Sequence, residues 1–465
     1  MSLHNEYFDL VKHFSLNRRM ENLPTSETLI CSLQRQLGLT PNNNEKEVWQ
    51  NDDLYSLVFD DESAKDISKI FREELSSPVS QKGAREQKIK SEKFEFREYI
   101  KPLIPDVAGY THGARSGAVG TPWNPGKWLL EELALAFNEF DEYEKFINEL
   151  ADAFDVKPDD GHPLATFLIN SIPNREYSIK SQILNDSFYK TDKKSLFGWK
   201  SAEVHLQFVN LIRYVLKCKK QYSRYRWILF LDAVLRLFAT VSSIWRFKTT
   251  VIFMDRLKNK QDLLVFESPG HLIGYGDTRV NIVRKGIQEY IVNYLQIHFL
   301  CKKLNIDPLR FTTEDLFRHL SNNVNSDMIQ QSEKDAVQVS RANKSEFELR
   351  TSTLKNSKEF LEYVGVKKED YEHKTVDYTF HYNKIGRDYK FAFGDSLLLI
   401  LVKYSGQVLN NNQFTSSDFV KVISGLGIKI NISEFSLGSL GENLLKLGVI
   451  EEISDSDSGM IFRTI

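Results

Sequence analysis

The sequence predicts a mainly α protein of several domains, with its few strands near the C-terminus. The chain has 465 residues, more than one compact core usually holds. Hydrophobic residues make up 41% of it and aromatic residues 12%, enough to fill real cores rather than leave a disordered chain. Apolar residues recur at steps of three and four over 201–260 and 280–302, which is typical of helices, whereas 376–382 alternates like a short strand.

Composition along the chain divides it into five stretches. Two of them lack hydrophobic periodicity and are predicted to be linkers. The stretches are an N-terminal helical region (1–75), a linker (76–98), a central helical domain (99–320), a polar linker (321–350) and a C-terminal domain (351–465).

Cysteine usage and hydropathy bear on the compartment. Cys31, Cys218 and Cys301 are odd in number and far apart, which argues against a disulfide framework and against paired zinc ligands. The most apolar run, 227–247, has the length of a membrane span, but three charged residues interrupt it. We therefore expect a buried helix in a soluble, cytoplasmic protein without a membrane partner.

Positive charge is concentrated in one part of the central domain, although the whole chain has a net charge of −2. Twelve cationic residues and two acidic ones lie between Arg213 and Lys260, with Tyr214, Tyr222, Tyr225 and Trp227 interleaved. Cationic side chains pair with phosphates and aromatic faces stack on bases, so the pattern is typical of nucleic-acid contacts. The predicted contacts are Arg213, Lys217, Lys219, Lys220, Arg224, Arg226, Arg246 and Lys248.

Other interpretations of this basic segment stay open. Residues 131–160 contain eleven acidic residues and two lysines, so the two stretches could dock on each other inside the protein. The basic segment could equally contact a partner subunit, or form a solvated helix face with no specific role.

The motif search assigns no catalytic residue, no metal ligand and no cofactor site. "GTPWNPGKW" (120–128) has the wrong spacing between its glycines for a phosphate-binding loop, and Trp128 stands where such a loop needs Ser or Thr. The glycine-rich segments 113–120 and 273–279 match no catalytic pattern and are predicted to be a flexible segment and a turn. For a metal-dependent nuclease the nearest pattern is "EDYEHK" (369–374), with Asp370, Glu372 and Lys374, which chance readily produces.

The C-terminal residues predict three short helices followed by a hairpin. The helices are expected over 394–406, 415–427 and 433–448. Asp395 and Thr415 are the expected N-caps, the latter with Asp418 three residues on. Leucines at 437, 440, 444 and 447 lie on one face of the third helix, and Gly448 follows it.

The hairpin is predicted from two apolar segments, 448–454 and 460–465, separated by "DSDSG". A calcium loop is the alternative, but its position 5 would be Gly459 and its position 12 would fall beyond Ile465. Three short helices and a hairpin resemble a winged-helix domain, which would cover 394–465.

A winged-helix resemblance implies DNA reading by the third helix, but the charges here argue against it. That helix offers only Asn443 and Lys446, opposed by acidic residues, and the wing is acidic as well. The module is therefore expected to contact a protein. If it touches DNA, the expected side is the one with Lys403, Lys421 and Lys429.

These observations predict a non-enzymatic subunit of a multi-protein assembly. It would contact nucleic acid or a partner through the basic segment, and a partner through the winged-helix-like module. In general character the chain is similar to accessory subunits of bacterial anti-phage defence systems. The alternative is a metal-dependent nuclease whose active site the sequence does not reveal.

Overall fold

The computed structural model describes most of the central and C-terminal parts of the chain. The described residues are 30, 33, 34, 36, 37, 125–154, 203–261, 271–278, 280–308, 311, 313–341, 380–382, 389–436, 438–453 and 460–463. Of these, 74% are helical, so the predicted mainly α fold class is confirmed.

Long helices form the central part of the protein. In chain order they are α1 (Pro125–Ala134), α2 (Phe140–Phe154), α3 (Glu203–Lys217), α4 (Arg224–Lys258), α5 (Val280–Lys303), α6 (Thr313–Asn323) and α7 (Ser326–Arg341). A 3₁₀ turn, Cys218–Gln221, connects α3 to α4. The helix α4 packs against α3, α5 and α6, so it is the central element of the bundle.

The helix α4 is apolar on nearly every side because it is enclosed by its neighbours. Its N-cap is Ser223, whose hydroxyl accepts a hydrogen bond from the backbone N–H of Arg226 at 3.4 Å. Within the described residues, Arg226–Lys258 is long and apolar enough to cross a membrane, and 94% of its most apolar window is buried inside the protein. This burial is consistent with the expected soluble protein.

Part of the stretch 321–350, predicted as a polar linker, is the helix α7. Its apolar residues are few, but they fall on one face: Ile329 and Ala336 are buried, with Ser332 between them. This face packs on α5, where the amide of Gln296 donates to the carbonyl of Ile329 at 3.1 Å. A narrow apolar stripe is thus enough to hold a mostly polar helix on the bundle.

The C-terminal part contains short helices and strands. The helices are α8 (Asp395–Leu409), α9 (Ser416–Gly425), α10 (Ser433–Ser436) and α11 (Ser439–Lys446). The strands are β2 (Phe380–Tyr382), β3 (Tyr389–Phe391), β4 (Gln413–Thr415), β5 (Ile428–Lys429), β6 (Ile450–Ile453) and β7 (Met460–Arg463). The strands β2 and β3 pair with each other, and β4, β7 and β6 form an antiparallel sheet in that order.

Of the two predicted N-cap residues in the C-terminal part, one is confirmed and one is wrong. Thr415 is the N-cap of α9, and its reciprocal capping box with Asp418 is confirmed. Asp395 is not an N-cap, because α8 begins after Gly394 and Asp395 lies in its first turn. There its carboxylate still complements the positive end of the helix dipole.

The third predicted helix, 433–448, is divided into α10 and α11 by Gly438, the N-cap of α11. A Cβ at Gly441, in the first turn of α11, would overlap the carbonyl of Phe435 on α10. The close contact between these two short helices therefore requires glycine at this position. Of the four leucines expected on one face, Leu440 and Leu444 are buried, Leu447 is half-buried and Leu437 lies outside the described residues. Gly448 has the left-handed φ of +68° that ends the helix. The strands of the predicted terminal hairpin are present, whereas its "DSDSG" turn lies outside the described residues.

A short strand, β1 (Ile273–Gly274), joins the central and C-terminal parts. It pairs in parallel with β5, and the backbone N–H of Leu272 donates to the carbonyl of Gly427 at 2.7 Å. Gly427 has φ +77°, and a Cβ there would meet the side chain of Leu272 at 3.0 Å, so both conformation and space require glycine. One buried hydrophobic cluster extends through both parts. The predicted domain boundaries stay a prediction.

Candidate nucleic-acid interface

The structure distributes the eight predicted contact residues over two kinds of environment. Arg213 and Lys217 lie on α3, Lys219 and Lys220 on the 3₁₀ turn, and the other four on α4. Half of the set makes contacts inside the protein, and the other half is grouped where α3 turns into α4.

Arg213 connects α3 to α2. Its Nε donates to the carboxylate of Glu149 at 2.9 Å, and its guanidinium lies over the rings of Phe137 and Phe146. Glu149 belongs to the acidic stretch, so internal docking of the basic and acidic stretches occurs here. Part of the positive charge counted in the sequence is therefore balanced within the protein.

Arg224 is buried, with 9% of its surface exposed, and it closes the C-terminal end of α2. Its two terminal nitrogens donate to the backbone carbonyls of Ala153 and Phe154 at 3.1 and 2.8 Å. The last carbonyls of a helix lack intrahelical partners, so a cation at this end satisfies them and complements the helix dipole. The guanidinium also lies 5.1 Å from the ring centre of Trp227.

Arg246 belongs to a buried polar cluster formed by several helices. It forms an ion pair with the carboxylate of Glu132 on α1, whose side chain is 0% exposed. The same carboxylate lies 3.3 Å from Nε2 of His205 on α3. Tyr290 on α5 contributes its hydroxyl, and burial raises the pKa of that phenol to about 12. Sequence patterns did not indicate this cluster, because its members are far apart along the chain.

The cluster is closed by aromatic residues. The ring of His205 lies edge-on to Trp245 and Phe238, with ring centres 4.9 and 5.7 Å away. Its Nδ1 is buried and has no hydrogen-bond partner among the described residues. A second buried ion pair, between Nε of Arg236 and the carboxylate of Asp232 at 2.6 Å, joins two residues one turn apart on α4. Burial raises the pKa of Asp232, although Arg236 opposes the shift.

Lys248 is the fourth predicted residue with an internal contact. Its Nζ donates to the backbone carbonyl of His271 at 2.9 Å, which holds the segment before β1 against α4. Burial lowers the pKa of this amine. Arg213, Arg224, Arg246 and Lys248 thus have roles in holding the fold together.

The remaining four residues form what we call the basic corner, namely Lys217, Lys219, Lys220 and Arg226. Lys217, Lys220 and Arg226 are exposed. Within the described part of the chain, none of these three has a carboxylate at ion-pair distance. Their positive charge therefore faces solvent.

Aromatic rings support the basic corner. The guanidinium of Arg226 lies 5.9 Å from the ring centre of Tyr222 and 5.8 Å from that of Phe230, and the amine of Lys219 lies 5.9 Å from Trp227. From α8, the amine of Lys403 lies 5.1 Å from the same Tyr222 ring. The sequence placed Lys403 in the C-terminal module, 177 residues from Arg226 in numbering, so only tertiary structure shows that they meet.

The third helix and wing of the C-terminal module present a different surface. Glu442 is exposed on α11, and Glu451 on β6 accepts a hydrogen bond from Gln413 and lies 3.8 Å from Arg463. The acidic charge expected to repel phosphates is therefore present on this surface. On α9, which carries part of the side expected to meet DNA instead, Lys421 pairs with Asp418 at 3.3 Å.

Residues named for the alternative functions lie partly outside the described chain. These are Asp370, Glu372 and Lys374, the segment 113–124 and the terminal turn at 454–459. Among the residues that the structure does describe, no group of three or more His, Cys, Asp or Glu side chains is arranged to hold a metal ion.

Comparison with known proteins adds no further support for a function. The chain matched no protein-family model, no curated protein and no solved structure, so its function has to be argued from the geometry above.

Proposed function

We propose that this chain is a non-enzymatic subunit of a multi-protein assembly and that it contacts a polyanion, either nucleic acid or an acidic partner, through the basic corner. A C-terminal module of winged-helix type provides the contact to a protein partner. The observation that carries the proposal is the exposed group of Lys217, Lys220 and Arg226, which has no carboxylate partner in the described structure.

The rigidity of the surroundings supports a binding role for this surface. Trp227 is fully buried beside the corner, and its indole N–H donates to the carbonyl of Val215 at 2.8 Å. Tyr214 on α3 packs against Tyr404 on α8, with ring centres 5.7 Å apart. These buried contacts fix the backbone that carries the corner, so binding has to order only its exposed side chains, which lowers the entropic cost of binding.

The order of elements supports the winged-helix arrangement of 394–465. Helix α8, strand β4, helix α9, strand β5, helices α10 and α11, and strands β6 and β7 follow one another. The strands β4, β6 and β7 form one sheet, whereas β5 pairs with β1. The acidic Glu442 and the exposed Leu445 on α11 suit a protein partner better than DNA.

The proposal extends to the cellular setting. We assign the chain to the cytoplasm and to an assembly of the bacterial anti-phage type, on the basis of its buried apolar helix and the general resemblance given above. Purification of the tagged chain from its native host under mild conditions tests the assembly. Recovery of the chain only as a free monomer would contradict it.

Binding of labelled DNA and RNA at several salt concentrations tests the basic corner. The triple variant K217E/K220E/R226E is expected to lose binding. For duplex DNA, the slope of the logarithm of affinity against the logarithm of salt concentration should become less steep by about 2 to 3. The matched control is K145E/K303E/K334E, which reverses three exposed lysines on other surfaces and gives the same net charge.

The control separates a local surface from a net-charge effect. If both triple variants lose affinity equally, binding follows overall charge and the basic corner has no special role. If neither binds differently from the unmodified chain, the proposed polyanion contact is wrong.

A further inference from the structure

We propose that the segment 271–278 positions α11, the helix assigned above to the protein partner, and that Tyr275 is the positioning residue. This segment, which we call the junction segment, lies between α4 and α5 and contains β1. The inference rests on the proposed function, because that function makes α11 a contact surface. It adds that α11 and the basic corner are presented at a fixed position relative to each other.

The junction segment is inserted between two strands of the C-terminal part. On one side, the backbone N–H of Tyr275 donates to the carbonyl of Lys429 on β5 at 2.8 Å. On the other side, the N–H of Gly276 donates to the carbonyl of Phe391 on β3 at 2.9 Å, and the N–H of Phe391 donates to the carbonyl of Thr278 at 2.8 Å. Hydrogen bonds on both sides fix the backbone of the segment against the C-terminal part.

The side chain of Tyr275 is 1% exposed and lies among aromatic residues of the C-terminal part. Its ring centre is 5.1 Å from that of Phe393 and 6.5 Å from that of Phe391. The hydroxyl lies beside the side chain of Ser439, at the start of α11, without a well-formed hydrogen bond. Burial raises the pKa of Tyr275 to about 12, so the phenol stays neutral there. The ring, rather than the hydroxyl, therefore provides the contact.

Glu434 on α10 connects the junction segment to α11. A Cβ at Gly276 would meet Oε1 of Glu434 at 3.0 Å, and a Cβ at Gly438, the N-cap of α11, would overlap Oε2. The carboxylate therefore lies between the junction segment and the N-terminus of α11, where a negative charge complements the helix dipole. Gly276 has a φ of +73°, so both the conformation and the space favour glycine there.

The C-terminal module is attached to the central bundle at two places. The helices α8 and α9 pack directly on α3, and α8 packs on α4 as well. The junction segment reaches a different part of the module, at β5, α10 and α11. Its own start is held on α4 by the hydrogen bond from Lys248 to the carbonyl of His271. The junction segment is thus the attachment beside α11.

Hydrogen exchange of the full chain tests the positioning role. Y275A removes the ring, so the amides of 428–447 should exchange at least about tenfold faster, while those of α2 keep their rates. Y275F keeps the ring and should leave both sets of rates unchanged. The matched control is Y143A, which removes a similarly buried tyrosine ring from α2 and should accelerate exchange in α2 but not in 428–447.

G276A tests the same junction if Y275A does not fold. Alanine is strained at this φ, and its methyl group would contact Glu434, so exchange of 428–447 should become about fivefold faster. Unchanged exchange in both Y275A and G276A would overturn the inference. Acceleration of the same regions by Y275A and Y143A would also overturn it, because it would show a general loss of stability.

Binding of labelled duplex DNA distinguishes this inference from the proposed function. The basic corner lies on α3, the 3₁₀ turn and α4, so Y275A should bind within about twofold of the unmodified chain. Loss of duplex binding in Y275A would show that the substitution disturbs the bundle, and would contradict a local role. Unchanged binding by K217E/K220E/R226E would instead contradict the proposed polyanion contact and leave the exchange result unaffected.

Discussion

Arg224 and Arg226 lie two residues apart in the first turn of α4, but their side chains lie in opposite environments. Arg224 is buried and donates to two carbonyls at the end of α2. Arg226 is exposed and lies over two aromatic rings. A count of charges along a helix therefore overestimates its binding surface, because the position of each cation around the helix determines which groups it contacts.

The same division holds along the whole basic segment. Towards the end of α4, Arg246 is paired with a fully buried carboxylate, and Lys248 donates to a backbone carbonyl. These contacts hold α1, α2 and the segment before β1 on the central helix. The internal cations therefore affect stability, whereas the basic corner affects binding.

The largest effect is expected for R246M. It leaves the carboxylate of Glu132 buried and without its cation, at a cost of about 3–5 kcal/mol in the free energy of unfolding. Urea denaturation of the purified chain measures this cost. The double variant R246M/E132Q should recover part of the loss, because the buried charge is gone. A single variant as stable as the unmodified chain would show that the ion pair does not support the fold.

The next largest effect is expected in the free energy of unfolding of R224M, compared with that of R226M. Removing Arg224 leaves the carbonyls of Ala153 and Phe154 without their donor, and about 2–3 kcal/mol of stability should be lost. Removing Arg226 should change stability by no more than about 0.5 kcal/mol, because its side chain is exposed. Hydrogen exchange should also become faster near the end of α2 in R224M alone. Equal losses in both variants would contradict the division between structural and surface cations.

A pH-dependent effect is expected at Asp232. Burial raises its pKa in the folded state above the unfolded value of about 3.9, so the folded protein holds this proton more tightly. The contribution of Asp232 to stability is then largest at low pH and falls as the pH rises from about 4 through the folded pKa. The slope in that window is at most about 1.4 kcal/mol per pH unit.

Substitution of Asp232 by Asn isolates this titration from the other acids of the chain. The stability difference between D232N and the unmodified protein should change in favour of D232N as the pH rises from 4 to 7. Urea denaturation at each pH measures it. A difference that stays constant across this range would mean that Asp232 titrates alike in both states.

The smallest effect is expected for K217E/K220E/R226E, the variant that should abolish polyanion binding. Its stability should stay within about 0.5 kcal/mol of the unmodified chain, because the three side chains are exposed. Thermal unfolding at low and high salt measures this. A large destabilisation would show that the corner is part of the fold, and loss of binding would then say nothing about its surface.

The features that the sequence predicts correctly are those that depend on near neighbours in the chain. The mainly α class, the capping box of Thr415 and Asp418, and the pairing of the terminal strands follow from local patterns, and the structure contains them. Sequence patterns did not indicate the helix α7, whose apolar stripe is narrow, and they predicted an unbroken helix where Gly438 separates α10 from α11. The winged-helix arrangement stays a proposal.

The sequence shows that the cations of the basic segment are clustered, but it does not show which of them face solvent. Glu132 and His205 lie 73 residues apart, and each is unremarkable in its own stretch. Lys403 is separated from Tyr222 by most of the described chain. Contacts between distant residues depend on how helices pack, and no spacing rule within one segment encodes them.

The helical class of this protein, the burial of its central apolar helix and the start of α9 at the Thr415 cap can be predicted from the amino-acid sequence, because these depend on periodicity and on groups within one turn. Which cations contact internal carboxylates and carbonyls, and which remain at the surface, depends on the tertiary structure. The electrostatic environment of a charge is set by the groups around it in space, and in this protein those groups come from distant helices.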